Sequence, residues 1–137
     1  MHQKTGFPPR PLRGVRAVYA RQAGCPSDFA DVTVDFEPGE EGVAFESSAD
    51  LSLRGDATPE ELAEFGAAVA DGVREELAAL ETGTTVAVAV VLRAIGVHAM
   101  DSHPGAFHRA GRLAVRNALS LARPPAGPER LQSSPES

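Results

Sequence analysis

Residues 96–111, GVHAMDSHPGAFHRAG, gather three of the four histidines, His98, His103 and His108, around Asp101 and Ser102, directly after an apolar run. Imidazoles with a carboxylate can hold a transition metal, provided the ligands converge on one point and leave a position open for chemistry. His103 and His108 are five residues apart, so on a helix they point about 140° away from each other, and a shared metal is not expected. A Ser, a His and an Asp are also the parts of a hydrolytic triad. A triad needs an oriented hydrogen-bond chain and an oxyanion hole, and neither follows from nearness in sequence. A simpler use for Asp101 or Ser102 is to cap the helix that follows, accepting bonds from its free N–H groups. On residue chemistry alone, His98 reads as an exposed loop histidine. No catalytic, cofactor-binding or metal-ligating set is assigned.

Bulk properties narrow the classes further. With 137 residues, 42% of them apolar, the chain suits one domain with one core. The net charge of −6 argues against indiscriminate nucleic-acid binding, although a local basic face is compatible with it. Cys25 is the single cysteine, so no internal disulfide forms and a reducing compartment is expected. There is no apolar leader at the N-terminus and no run approaching eighteen apolar residues, which together suggest a soluble, cytoplasmic protein without a membrane partner. Cys25 lies in a turn with no neighbouring His, Lys or Arg, and reads as a bystander.

The elements that must position these residues are legible as periodicities. Residues 1–14, with Pro8, Pro9 and Pro11, read as a flexible tail, and residues 123–137, rich in Pro, Ser and Glu, as a disordered one. Between them, 15–22 and 29–37 alternate as strands joined by a turn; in the second, Ala30, Val32, Val34 and Phe36 share an apolar face, and Asp31, Thr33, Asp35 and Glu37 the outer one. A third strand runs over 43–53, with a bulge or an end expected near Ser47. Thr58, Pro59 and Glu61 spell a capping box at the start of a helix whose stripe is Leu62, Phe65, Val69, Val73, Leu77 and Leu80, closed by Gly83. Residues 84–95 form a strand rich in β-branched residues. A second helix follows Ser102, with Phe107, Ala110, Ala114, Ala118 and Leu121 inward. Its outer face carries His108, Arg109, Arg112, Arg116 and Arg123 and no acid, whereas the first helix is acidic outside. The order is β-β-β-α-β-α. A two-layer α+β sandwich, with both helices on one face of a four-stranded sheet, buries every apolar stripe.

Two segments resemble the ends of domain IV of elongation factor G. YARQAGCPSDFADVTVDFEP, residues 19–38, is similar to its opening, and VHAMDSHPGAFHRAGRLAVRNAL, residues 97–119, to its close, with His98, Asp101, Ser102, Ala106, Phe107, Ala110 and Gly111 in ungapped register. The resemblance spans about residues 15–122. It implies the ribosomal protein S5 domain 2-like fold, with a left-handed βαβ crossover that runs against the usual rule. It also implies a role in translation, in which loops at the domain's tip contact tRNA and mRNA near the decoding site. On that reading His98, Asp101 and Ser102 lie in one tip loop, and Arg54 and Gly55 in the other.

The chain also departs from the pattern. Gly55 is followed by Asp56, and Glu60 stands where the family has a phosphate-facing lysine, which reduces attraction to RNA. His103, Pro104 and Gly105 replace Ser-Glu-Met. No GxxxxGK[ST] loop is present to cradle a nucleotide. The expected protein is therefore a non-enzymatic, translation-related domain that binds the ribosome through its tip. Arg109, Arg112 and Arg116 form a candidate basic face. The rival is an interaction module, associating with a protein partner or with itself through the opposed charges of its helices, that has lost RNA binding.

Overall fold

In the computed structural model, the structure describes residues 5–21, 28–80 and 83–122. The chain runs β1 (Thr5–Phe7), β2 (Leu12–Arg21), β3 (Asp28–Pro38), β4 (Gly42–Arg54), α1 (Pro59–Ala78), β5 (Thr84–Gly96) and α2 (Pro104–Ala122). The expected succession is present, preceded by one short extra strand. β2 pairs antiparallel with β3, β3 antiparallel with β5, and β5 parallel with β4, so that β4, α1 and β5 make the parallel crossover unit. β1 adds a parallel stretch against Thr84–Val86.

The extra strand corrects the reading of residues 5–14 as part of a flexible tail; residues 1–4 lie outside the described residues. Its prolines mark the segment as unable to continue regular structure, but Phe7 beside them is 3% exposed and meets Phe36 edge-on at 5.7 Å. Leu12 is buried as well, and Arg10 Nη2 donates to the Leu121 carbonyl at 2.8 Å, placing a cation at the C-terminal end of α2 where the helix dipole favours one. One large aromatic outweighs the proline signal, because burying it contributes on the order of 2 kcal/mol. The turn holding Cys25 and the segment 123–137 lie outside the described residues.

Ala30, Val32, Val34 and Phe36 are all fully buried, as their alternation requires, and across from Val32, Val34 and Phe36 on β5 the buried Ile95, Leu92 and Val90 fill the same layer. β4 shifts register against β5 between Ser47 and Ser52, the bulge anticipated near Ser47. Thr58 caps α1: its hydroxyl accepts from the Glu61 N–H, and the Glu61 carboxylate accepts from the Thr58 N–H, closing the box. α1 ends at Ala78, short of Gly83, which takes its positive φ in the turn leading into β5. In α2, Phe107, Ala110, Ala114 and Ala118 are fully buried, but Leu121 is 53% exposed; the stripe runs off the sheet before it reaches that residue.

The two helices touch more closely than side chains normally allow. A Cβ on Gly72 of α1 would lie 2.0 Å from the His108 carbonyl oxygen, and one on Gly111 of α2 would lie 2.4 Å from the Val69 carbonyl oxygen. Backbone meets backbone at this crossing, and Phe65 of α1 stacks on Phe107 of α2 at 4.5 Å. Gly72→Ala or Gly111→Ala is expected to force the helices apart at a cost of about 3 kcal/mol, read as a lowered melting temperature. Gly66→Ala, whose new methyl would make only ordinary contact with Ser47 Oγ at 3.5 Å, is expected to leave stability level or raise it through better helix propensity.

Candidate functional site at the tip

Parallel pairing of β4 with β5 brings Arg54 beside Gly96 and sends both strands off the same end of the sheet. The Val97 N–H donates to the Arg54 carbonyl at 2.9 Å, which continues the ladder into the two loops that follow. Gly55 turns there with φ +92°, and a Cβ on it would lie 2.1 Å from the Val97 carbonyl oxygen. Only glycine suits that bend, on both counts. His98 therefore sits next to the Arg54-Gly55 turn, and the two segments expected to share one tip do so.

The β3 end of the β2–β3 hairpin completes the tip. Phe29 stacks on His98, ring centroids 4.3 Å apart, and its N–H donates to the Asp101 carbonyl at 3.0 Å. Ser102 Oγ accepts from the His98 N–H at 2.9 Å and donates to the Phe29 carbonyl at 2.7 Å. These bonds correct the expected cap. Ser102 closes its own loop and ties it to β3, and α2 instead starts over His103, whose carbonyl accepts from the Ala106 and Phe107 N–H groups. Asp101 is half-buried, with a carboxylate oxygen 3.6 Å from His98 Nδ1.

Beneath the tip, on the sheet face away from the helices, is Asp31. The alternation places it among the outer residues, but its side chain is only 3% exposed. Arg16 grips it with two bonds, Nε to Oδ1 at 3.0 Å and Nη2 to Oδ2 at 2.6 Å, and Arg54 Nη2 adds a third at 2.6 Å. Gly96 lies across the ladder from Asp31, and a Cβ there would come within 3.1 Å of the Asp31 Cβ and 3.4 Å of Arg54 Nη2. The bare glycine lets Arg54 reach over β5 from the strand beyond it. Burial works to raise the Asp31 pKa, but the hydrogen bonds and charges of Arg16 and Arg54 overcome it and hold the carboxyl below its ordinary value. Arg54 thus anchors the tip through its side chain and its carbonyl together, while its side chain stays 61% exposed. Phe29, Asp31, Arg54, Gly55, Gly96, Val97 and His98 line a shallow cleft of about 300 Å³.

The three histidines diverge. His103 Nε2 lies 2.6 Å from Asp28 Oδ1, His108 Nε2 lies 2.6 Å from Glu75 Oε1, and His98 rests on Phe29. Among the described residues, no group of three His, Cys, Asp or Glu side chains is placed to hold a metal. No helix there is long and apolar enough to cross a membrane.

The candidate basic face is partly neutralised. Glu76 of α1 accepts from Arg112 Nε at 3.1 Å and from Arg116 Nε at 2.9 Å, and Arg112 also approaches Glu75 at 3.8 Å. The hydrogen bond from Arg116 is the largest influence on the Glu76 carboxyl and, with that from Arg112, holds it below its usual value against the opposing effect of burial. The acids of α1 and the cations of α2 face each other within one chain. Arg109 instead lies over the Tyr19 ring, 5.7 Å from its centroid.

The comparisons with known proteins agree with this architecture. Residues 9–123 match the family described as elongation factor G, domain IV. An elongation factor G of Dehalococcoides mccartyi is 32% identical over 111 residues, covering 77% of this chain and 15% of that protein. Elongation factor G 2 of Hahella chejuensis is 37% identical over 110 residues, covering 78% and 15%. A crystal structure of a Thermus thermophilus protein superposes with a TM-score of 0.65 at 23% identity, over 83% of this chain and 16% of that one, and shares its fold. The fold and tip define a two-layer α+β domain of the kind found within translation factors. The chain belongs to the elongation factor G domain IV family, and it spans about 15% of the length of the curated relatives it matches.

Phe29, Asp31 and Glu76 were not singled out from the sequence as site residues. A signal existed for Asp31 alone: an acid on a strand whose predecessor and successor in sequence, β2 and β4, both carry arginines.

Asp31→Asn is expected to lower stability at neutral pH by about 2 kcal/mol, by weakening charge-assisted bonds to two arginines. Because the folded-state pKa is depressed, the native protein keeps this stabilisation above the ordinary aspartate range and loses it as pH falls through the lower folded value. The difference in melting temperature between the native protein and the variant should therefore shrink below about pH 4. A difference that stays constant into acid would show that the charge of Asp31 contributes nothing.

Proposed function

We propose that this chain is a non-enzymatic, translation-related domain that binds the ribosome near the decoding site through the tip built by His98, Asp101, Ser102, Arg54 and Gly55. Membership of the elongation factor G domain IV family is the observation that carries the reading, supported by the resemblance of residues 97–119, with His98, Asp101 and Ser102, to the close of that domain. The geometry divides the labour. His98 and Arg54 present exposed polar and cationic surface, suited to stacking on and hydrogen-bonding to RNA. Ser102, Gly55 and Asp31 fix where those two groups stand. Asp101 holds the loop to β3 through its carbonyl and offers a carboxylate beside His98.

The rival reading, self-association through opposed helix charges, has less to draw on, because Glu75 and Glu76 already engage His108, Arg112 and Arg116 of the same chain.

Co-sedimentation with 30S and 70S particles tests the proposal. The native chain is expected in both pellets at low salt and less so at moderate salt. His98→Ala removes an exposed ring without opening a core cavity and should weaken pelleting by roughly tenfold, about 1.4 kcal/mol. Gly55→Ala, which must displace the bend at Val97, should weaken it at least as much. Absence of the native chain from both pellets at low salt refutes ribosome binding.

A further inference from the structure

We infer that a second surface, the open groove between β2 and α2, binds the phosphodiester backbone of RNA. Its floor and walls are Tyr19, Arg109, Arg112, Leu113 and Arg116, enclosing about 370 Å³. This groove lies on the helix side of the sheet, since Tyr19 shares a strand face with the buried Val15 and Ala17, whereas the tip cleft opens beside Asp31 on the other side. It is therefore a different site from the tip and stands independently of whether the tip meets a ribosome.

Each arginine is held by a neighbour and retains donors. Arg109 is seated over the Tyr19 ring, and among the described residues its guanidinium has no carboxylate partner. Arg112 gives Glu76 only its Nε, and Arg116 gives Nε and one bond from Nη2, so further N–H groups of both remain for a ligand. Glu76, with Glu75 3.8 Å from Arg112, offsets part of the charge of Arg112 and Arg116 and leaves Arg109 unopposed among the described residues, and in exchange Glu76 fixes two flexible side chains before any ligand arrives, which lowers the entropy lost on binding. Guanidinium groups match phosphate oxygens in paired geometry.

Shape selects the backbone over a small anion or an acidic peptide. From Arg109 to Arg116 the helix rises about 10 Å, so the cations form a row rather than a point, suited to consecutive phosphates of one strand. The groove is shallow and open, and Leu113 adds an apolar surface beside the arginines against which sugars can lie. The net charge of −6 opposes approach of a polyanion elsewhere on the surface, so attraction is confined to this local positive row.

The test uses the full chain and a fluorescent A-form RNA hairpin, followed by anisotropy across a salt series. The native protein is expected to bind at low salt. Arg109→Glu should weaken binding by about tenfold and reduce the slope of log K against log salt by about one or more. Arg109→Ala, kept as a second variant should Glu disturb the fold, should lower affinity by about threefold with an unchanged melting temperature, and Arg109→Lys should retain most of it. His98→Ala should leave hairpin binding unchanged, which separates this groove from the tip: failure of the native chain to pellet with ribosomes, with hairpin binding intact, would remove the tip reading alone. Failure of the native chain to bind the hairpin at low salt, or binding indifferent to Arg109, overturns the inference. So does Arg109-dependent binding of polyglutamate with none of RNA, which would place an acidic protein there instead.

Discussion

The contact on which the rest of this structure depends is the crossing of α1 and α2 at Gly72 and Gly111. With no side chain on either, each helix presses its backbone against the other, and the inner stripe of α2 then needs nothing larger than alanine at 110, 114 and 118. Close approach also sets the electrostatics. It brings the outer edge of α1, with Glu75 and Glu76, within reach of His108, Arg112 and Arg116, so charges that lie a whole strand apart in sequence neutralise one another in space. Larger residues at the crossing would separate the helices, open the core above the sheet and release those ion pairs.

A second constraint governs the tip. Loops at the end of a sheet are ordinarily its most mobile parts, because few apolar contacts hold them. Here the loops after β4 and β5 are tied to each other by the Arg54 carbonyl and the Val97 N–H, and to the start of β3 by Ser102 and Phe29. Asp31 extends the tie into the sheet, since the Arg54 side chain that grips it belongs to the residue whose carbonyl holds Val97. A carboxylate that is nearly buried is tolerated only when its lone pairs are satisfied. Two arginines achieve that from opposite sides of β3, Arg16 from the adjacent β2 and Arg54 from β4, across Gly96 of β5. The tip thus presents His98 and Arg54 on a preformed platform, so that a partner meeting them loses little to ordering.

The two surfaces differ in character. The tip cleft combines one exposed aromatic stack with a cation that is already paired, while the β2–α2 groove presents a row of arginines held by Tyr19 and Glu76. Within Pro104–Ala122 of this acidic chain, α2 carries Arg109, Arg112 and Arg116 and no acid.

Much of this was written in the sequence, because local patterns obey local physics. The alternation of β3, the capping box at Thr58, the bulge near Ser47 and the apolar stripe of α2 up to Ala118 depend on residues within a turn or a pleat of each other, and the motif around His98 pointed to the family. What the sequence did not determine depends on which elements become neighbours. Asp31 looks like a solvent-facing acid until β2 and β4 supply Arg16 and Arg54. Ser102 looks like a helix cap until the Phe29 carbonyl comes within 2.7 Å of it, and the arginines of α2 look free until α1 arrives with Glu76. Phe7 reads as part of a proline-rich tail until β5 and Phe36 give it a place to be buried. Each of these depends on contacts between segments remote in sequence, and periodicity carries no information about such contacts until the sheet order and the helix crossing bring them together.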